Sequence, residues 1–448
     1  MEVYAHEFDI KSKRRAVLTI AVAVVLVTIV LIFQIDKAIA TLMILGFVCV
    51  LFITELVPLV YTAVSVPVML YLCGCLSAQQ ALSGISNENV VLFVGMFIVG
   101  GAIFRTGAAS AIGNKVLSKA GTDPKKIIGY ILMLTAVFSS VMSNTGCVAV
   151  FMPVCLGIAD AADMDRKRLL MPLAMMSSLG GTMTMVGTPP NVTVNSIYMK
   201  SGLGDFGFFE YAWVGLPLTV IGGLFLFAVY TRQNDKEHND NAHNIEAKPL
   251  EKNQVMAVAI LVMVVIAMAT NKISLAIASI IAAVACLALG LCTGKDALED
   301  IDWKTVFLFA GMLPMSTALD KTGAGKLIAD FSVKLMGGNP SQFVAISVLF
   351  IIAAGLTQVM SNTASCALLA PIGLQISEAL GADPGGVLMA IGIASSCAFM
   401  TPMATPPNTL IFGAADAKFS DYLKIGTPLV VIGYLVCIFI IPKIWPFF

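Results

Sequence analysis

The chain has 448 residues, 58% of them hydrophobic and 12% charged, and its 27 basic and 27 acidic side chains give a formal charge of zero. Soluble domains carry about 25% charged residues, so so few charges cannot clothe a water-facing surface, and the chain is a membrane protein. The even charge balance leaves no basic footprint for nucleic acid. The three histidines, His6, His238 and His243, all stand in polar stretches, which excludes histidine chemistry or histidine metal sites at membrane depth.

Lys11, Lys13, Arg14 and Arg15 precede a first apolar run at 16–33. That run is long enough to span and has no small-residue cleavage site, so it is a span and not a signal. The basic cluster before it places the N-terminus in the cytoplasm. Apolar segments follow at about 38–57, 60–76, 87–104, 127–158, 168–199 and 211–231, with Glu55 read as a helix-end residue. Residues 231–252 form the longest polar stretch, a solvated linker. Apolar segments resume at about 254–270, 274–292, 303–320, 341–378, 386–414 and 423–446. The ten cysteines fall almost wholly within these segments, as small hydrophobes.

The two halves repeat. LFVGM at 92–96 answers LFAGM at 308–312, and VMSNTGCVAVFMP at 141–153 answers VMSNTASCALLAP at 359–371. GTPPN at 187–191 answers ATPPN at 404–408, and GLPLTVIG at 215–222 answers GTPLVVIG at 426–433. Spacings of 211 to 218 residues in constant order mark an internal duplication.

The segments 127–158 and 341–378 are too long for one span and too short for two, and each has a central Ser-Asn-Thr. The economical solution is a re-entrant hairpin, since non-helical backbone at membrane depth is tolerated only where protein or a cavity surrounds it. Five spans plus a hairpin per repeat invert the second repeat against the first. The expected fold is all-α and polytopic, with about 11 spans in two inverted repeats, each with a re-entrant hairpin and a broken helix, and with the C-terminus outside. Lys115, Lys119, Lys125, Lys126, Arg166, Lys167 and Arg168 fall in predicted inner loops, whereas the predicted outer segments near 334–341 and 376–386 hold only Lys334. This bias follows the positive-inside rule.

Candidate chemistry lies in two triplets, Ser143-Asn144-Thr145 and Ser361-Asn362-Thr363, and two tetrads, Thr188 to Asn191 and Thr405 to Asn408. Consecutive prolines cannot continue a helix interior, so each tetrad breaks a span and frees carbonyls. Each triplet at a hairpin tip offers hydroxyls, an amide and helix-terminal N–H groups. Helix N-termini attract anions, and freed carbonyls attract cations. The constellation therefore predicts one anion site flanked by two cation sites. Single Ser, Thr or Asn residues in spans often only bridge neighbouring helices; duplication of both motifs at matching places favours a site. Arg105 and Lys321 stand at equivalent positions after long apolar runs and are read as interfacial residues. No enzyme is expected, because the duplicated serines have no His, Lys, Asp or Glu beside them to activate a nucleophile.

The duplicated Ser-Asn-Thr triplets and the run SSCAFMTPMATPPNTLIF at 395–412 resemble the divalent anion:sodium symporter family, from about residue 16 to the C-terminus. The resemblance implies carriage of dicarboxylates, citrate or sulfate with sodium as the coupling ion and with no cofactor. It implies a first sodium site at Ser139, Ser143, Asn144 and the Gly187 main chain, and a second at Thr357, Asn362 and the main chain near Met360 and Ala404. Substrate would lie between Asn144, Thr145, Asn362 and Thr363, against Thr188, Pro189, Thr405 and Pro406. It also implies a homodimer in the cell membrane, working as an elevator. The expected division is a cytoplasmic N-terminus at 1–15, scaffold parts at 16–126 and 253–340, transport parts at 127–231 and 341–448, and a cytoplasmic linker at 232–252. A sodium-independent dicarboxylate exchanger or a sulfate carrier of the same fold stays open at this point.

Overall fold

The computed structural model describes residues 17–446 apart from 18, 55, 118–122, 162–163, 233–248, 271 and 339. The basic N-terminal cluster, Glu55, Lys119, the histidines and most of the linker lie outside the described residues. The described chain is all-helical. The first half runs α1 (Thr19–Ile32), α2 (Lys37–Thr54), α3 (Leu59–Leu72), α4 (Ala78–Ala81), α5 (Glu88–Arg105), α6 (Ala108–Leu117), α7 (Pro124–Ser139), α8 (Asn144–Ala161), α9 (Lys167–Gly181), α10 (Pro189–Ser201) and α11 (Ala212–Thr231). The second runs α12 (Lys252–Ala269), α13 (Leu275–Ala288), α14 (Gly294–Asp300), α15 (Trp303–Thr322), α16 (Ala324–Leu335), α17 (Gln342–Leu356), α18 (Asn362–Ala379), α19 (Pro384–Ser396), α20 (Pro406–Ala414) and α21 (Phe419–Ile444). Every helix from α2 to α11 thus has its counterpart in the series α12 to α21.

Five helices, α2, α5, α11, α12 and α21, are long and apolar enough to cross a bilayer alone. α3 and α13 are apolar but only 14 residues long, and α1 is similarly short. α9 with α10, and α19 with α20, each make one interrupted crossing. With α15, this inventory accommodates the eleven expected spans. The apolar faces of α11 and α12 are turned outward, as at Leu224 and Met263, which suits lipid contact.

The halves interlock reciprocally. α5 packs along α13, and α15 packs along α3. A Cβ on Gly95 would fall 2.5 Å from Ser279 Oγ, and one on Gly311 would fall 2.3 Å from Ala63 O. These are the same contact made twice, since Gly311 and Ala63 stand in the repeat where Gly95 and Ser279 stand. The helices around the site start where their caps dictate. Asp123 accepts from Lys125 N at 2.9 Å, with Pro124 in the first turn, and Asp383 does the same for Gly385 N at 2.6 Å ahead of α19. α9 and α19 are buried along nearly their whole length, as expected for α19, which is apolar on nearly every side. The interrupted crossings meet crosswise: α10 rests on α18 and α19, and α20 rests on α8 and α9.

Candidate substrate site

Both Ser-Asn-Thr triplets start helices. Ser143 Oγ accepts from Gly146 N at 3.1 Å at the head of α8, and Ser361 Oγ accepts from Ala364 N at 3.3 Å at the head of α18. A capped helix still leaves its first N–H groups without an intrahelical acceptor. Among the described residues, no backbone or side-chain acceptor meets the amides of Asn144, Thr145, Asn362 or Thr363. Thr188 and Thr405 are extended, with φ of −145° and −147°, and the two prolines after each form the first turns of α10 and α20. Proline suits that position because its missing N–H would be an orphan there. α10 and α20 therefore bring threonine hydroxyls and a positive helix end to the site, while the N–H donors come from α8 and α18.

Each break is held open by one asparagine. Asn191 Nδ2 donates to Thr184 O at 2.8 Å and Gly181 O at 3.3 Å; Asn408 Nδ2 donates to Thr401 O and Ala398 O, both at 3.0 Å. Tyr211 Oη donates to Asn191 O at 2.6 Å and Tyr422 Oη to Asn408 O at 2.8 Å. Thr184 and Thr401 complete the match by donating to Ser140 O and Gln358 O at the hairpin tips. The duplication read in the sequence thus recurs bond for bond.

Tips and breaks converge on one cleft with about 990 Å³ of empty space, partly open to solvent. Its wall contains all eight residues expected to face a substrate: Asn144, Thr145, Thr188, Pro189, Asn362, Thr363, Thr405 and Pro406. Thr188 is 1% exposed, and its Oγ1 has no protein partner, so it carries an unspent hydroxyl at the cleft.

Behind each tip lies a cluster of oxygens. The Asn144 amide end stands 2.7 Å from Ser139 Oγ, 3.0 Å from Ser177 O and 3.2 Å from Gly187 O. Ser139 Oγ also lies 2.6 Å from Ser177 O. All these neighbours accept hydrogen bonds. Turned with its nitrogen inward, Asn144 donates to them; turned with its oxygen inward, it closes a ring of four oxygens. The second cluster repeats the first: Thr357 Oγ1 lies 3.0 Å from Asn362 Oδ1 and donates to Ser395 O at 2.7 Å. Of the other residues assigned to cations, Ser143 spends its hydroxyl capping α8, while Met360 and Ala404 are buried at the second tip and break. The Ser177 and Ser395 carbonyls escaped the sequence argument because nothing in a helix's sequence marks which carbonyl faces a hairpin tip.

A family model described as citrate transporter matches residues 49–384, with a second match over 326–447. The chain belongs to the citrate transporter family. An uncharacterized transporter of Haemophilus influenzae is 31% identical over 430 residues, covering 90% of each chain. The sodium-dependent dicarboxylate transporter SdcS of Staphylococcus saprophyticus is 23% identical over 458 residues, covering 91% of this chain and 87% of its own. Among solved structures, the Alcanivorax borkumensis YdaH transporter superposes with a TM-score of 0.58 at 11% identity, over 81% of this chain and 87% of that one. Neisseria gonorrhoeae MtrF, of a class of antimetabolite efflux pumps, also gives 0.58, at 16% identity over 80% and 82%. These two likenesses concern the fold alone. The absence of a nucleophile–base pair in the motifs agrees with a family of transporters, not enzymes.

In this citrate-transporter-family chain, the charged residues of the sequence sort cleanly. Arg105 lies outside the cleft wall. Its guanidinium grips Asp300, with Nε at 3.0 and 2.9 Å from the two carboxylate oxygens, and reaches Asp296 at 2.8 Å. Hydrogen bonds from Thr293 hold the Asp296 carboxyl below the usual carboxylate range, with Arg105 adding to the effect. Lys321 donates to Gln80 Oε1 at 2.8 Å. The four motifs themselves are uncharged, as the sequence showed, but the wall they share also includes Asp302, Lys304 and Thr305 from the start of α15. Those residues lie some 60 residues before the nearest motif in the chain, and only the packing of α15 against the second hairpin brings them in.

Proposed function

We propose that the chain is a sodium-coupled symporter of divalent organic anions, C4-dicarboxylates or related di- and tricarboxylates, working by alternating access. The observation that carries this reading is the set of four unpartnered amides, two at each tip, lining one cleft beside the buried hydroxyl of Thr188. Two carboxylates, each accepting from one helix end, use these donors as a helix N-terminus uses them for any oxyanion. The oxygen clusters around Asn144 and Asn362 suit sodium, a hard cation that takes neutral oxygen ligands as other hard ions do. Each asparagine sits at both sites, so a cation that fixes its amide also orders the tip that receives the anion, and binding of the two is coupled.

Energetics favour coupling. Moving one charge across 100 mV involves about 2.3 kcal/mol, so a dianion entering an inside-negative cell alone costs about 4.6 kcal/mol. Two sodium ions cancel that cost, and a third turns the potential into a driving force. On a cytoplasmic N-terminus, α15 begins at the inner face, so a cleft bounded by Asp302 and Lys304 opens inward and the C-terminus lies outside. In this reading the hairpins with α9–α11 and α19–α21 move against the remaining helices, and two chains pair in the membrane.

The test is uptake of radiolabelled succinate, citrate and sulfate into proteoliposomes, with and without an inward sodium gradient. Sodium-stimulated carboxylate uptake is expected. Counterflow of equal rate in sodium-free vesicles would replace symport by exchange, and sulfate uptake without carboxylate uptake would overturn the substrate class.

A further inference from the structure

Among the described residues that form the cleft wall, Lys304 is the one Lys, Arg or His. It is exposed, and among the described residues no salt bridge or side-chain hydrogen bond engages its ammonium, in contrast to Arg105, Lys167 and Lys321, whose charged groups each meet an acceptor. Its neighbour in the wall, Asp302, is committed elsewhere: its carboxylate caps α15, accepting from Thr305 N at 3.3 Å and from Thr305 Oγ1 at 2.5 Å. The capping charge is offset by the positive helix end it sits on. The local charge left for a guest is the lysine's. The motif residues opposite, including Asn144, Thr188, Asn362 and Thr405, are all neutral.

The duplication sharpens the point. The first repeat's counterpart of Lys304 is Glu88, at the head of α5, and Glu88 is absent from the cleft wall; its carboxylate accepts from Ser274 Oγ at 3.3 Å instead. The amides are supplied symmetrically by the two repeats, but the cation comes from one side only. An asymmetric cation has no role in holding two equivalent carboxylates. It has one in holding a further anionic group of an unsymmetrical guest, and a lysine is suited to it, being a point charge on a flexible stem with three rotatable donors.

We propose that Lys304 is a specificity-determining residue of the cleft, engaging an ionised group of the substrate beyond those held at the two tips and so favouring guests with three carboxylates over guests with two. The inference rests on the anion-carrier reading above.

The test compares wild type, Lys304→Gln and Lys304→Arg in proteoliposomes, at a pH where citrate is fully ionised and at fixed sodium. For an exposed, screened charge, Lys304→Gln should raise the citrate KM about three- to fivefold, leave the succinate KM within about twofold, and leave the maximal rate of either little changed. Lys304→Arg should restore the citrate KM. Added choline chloride should erode the citrate preference of wild type but not of Lys304→Gln, because only the former depends on a screened charge. Binding is read apart from transport, as the rise in melting temperature of each purified protein with citrate or succinate. Stabilisation by citrate that needs Lys304, in a protein that carries no carboxylate, would uphold the role of Lys304 and overturn the transport reading. Equal changes for citrate and succinate, or no change for either, would overturn the role of Lys304, as would a wild type that handles succinate and ignores citrate.

Discussion

Gly187→Ala tests the cation cluster without removing any of its oxygens. A Cβ on Gly187 would lie 2.4 Å from Gly181 O, 2.9 Å from Gly181 Cα and 3.0 Å from Gly181 C. All three obstacles are backbone, so no side chain can swing away, and the break must open by about 1 Å to reach ordinary contact. Overpacking of this kind costs about 1–3 kcal/mol. The Gly187 carbonyl stands in the ring around Asn144, so the displacement falls on a proposed sodium ligand. Charged to the sodium-bound form, that cost raises the sodium concentration for half-maximal uptake about 5- to 150-fold, at about 1.4 kcal/mol per factor of ten. The counterpart in the second repeat is already Ala404, so Ala404→Gly is the control and should shift sodium dependence less than about threefold. The assay is succinate uptake against sodium concentration, alongside a melting curve to show that the variant is folded. A folded Gly187→Ala protein with wild-type sodium dependence would refute the placement of the first cation.

Asn144→Ala and Asn362→Ala should each abolish uptake while the protein still elutes as a folded species in detergent; wild-type uptake by either would sink the assignment of the tips. Arg105→Gln removes an ion pair outside the cleft and should retain transport within about threefold of wild type, as partly exposed pairs contribute little; complete loss would give Arg105 a part in the cycle. Tyr211→Phe deletes one buried hydrogen bond to the start of α10, worth about 1 kcal/mol, and should lower the melting temperature by a few degrees while sodium affinity holds. Tyr422→Phe should behave alike, and a large difference between the two would show that the repeats carry unequal load.

Much of the architecture is legible in the amino-acid sequence. Too few charges for a water-facing surface made the chain a membrane protein, and the ordered sequence matches between its halves made it a duplication. Paired prolines after Thr188 and Thr405 located the helix breaks, because proline has no N–H to give and suits only a helix's first turn. The eight residues expected around a substrate do share one wall. The triplets are legible as hairpin tips that offer hydroxyls and helix-terminal N–H groups; that the Ser of each caps its helix, leaving the next two amides open, needed the tip to be folded.

Three features required the tertiary structure. The carbonyls of Ser177 and Ser395 lie 38 residues from Ser139 and Thr357, the hydroxyls they meet, and a main-chain oxygen leaves no mark in the amino-acid sequence. Asn191 and Asn408 end the two tetrads with no role marked in the sequence, and only the fold shows that their amides are spent on holding the breaks open. Lys304 stands beside none of the four motifs, and only the packing of α15 against the second hairpin brings it to the cleft wall. Composition and duplication fix which residues are polar at depth, through the cost of burying them in hydrocarbon. Which of those groups meet, which are spent on one another and which stay free for a guest is decided by helix packing between distant parts of the chain.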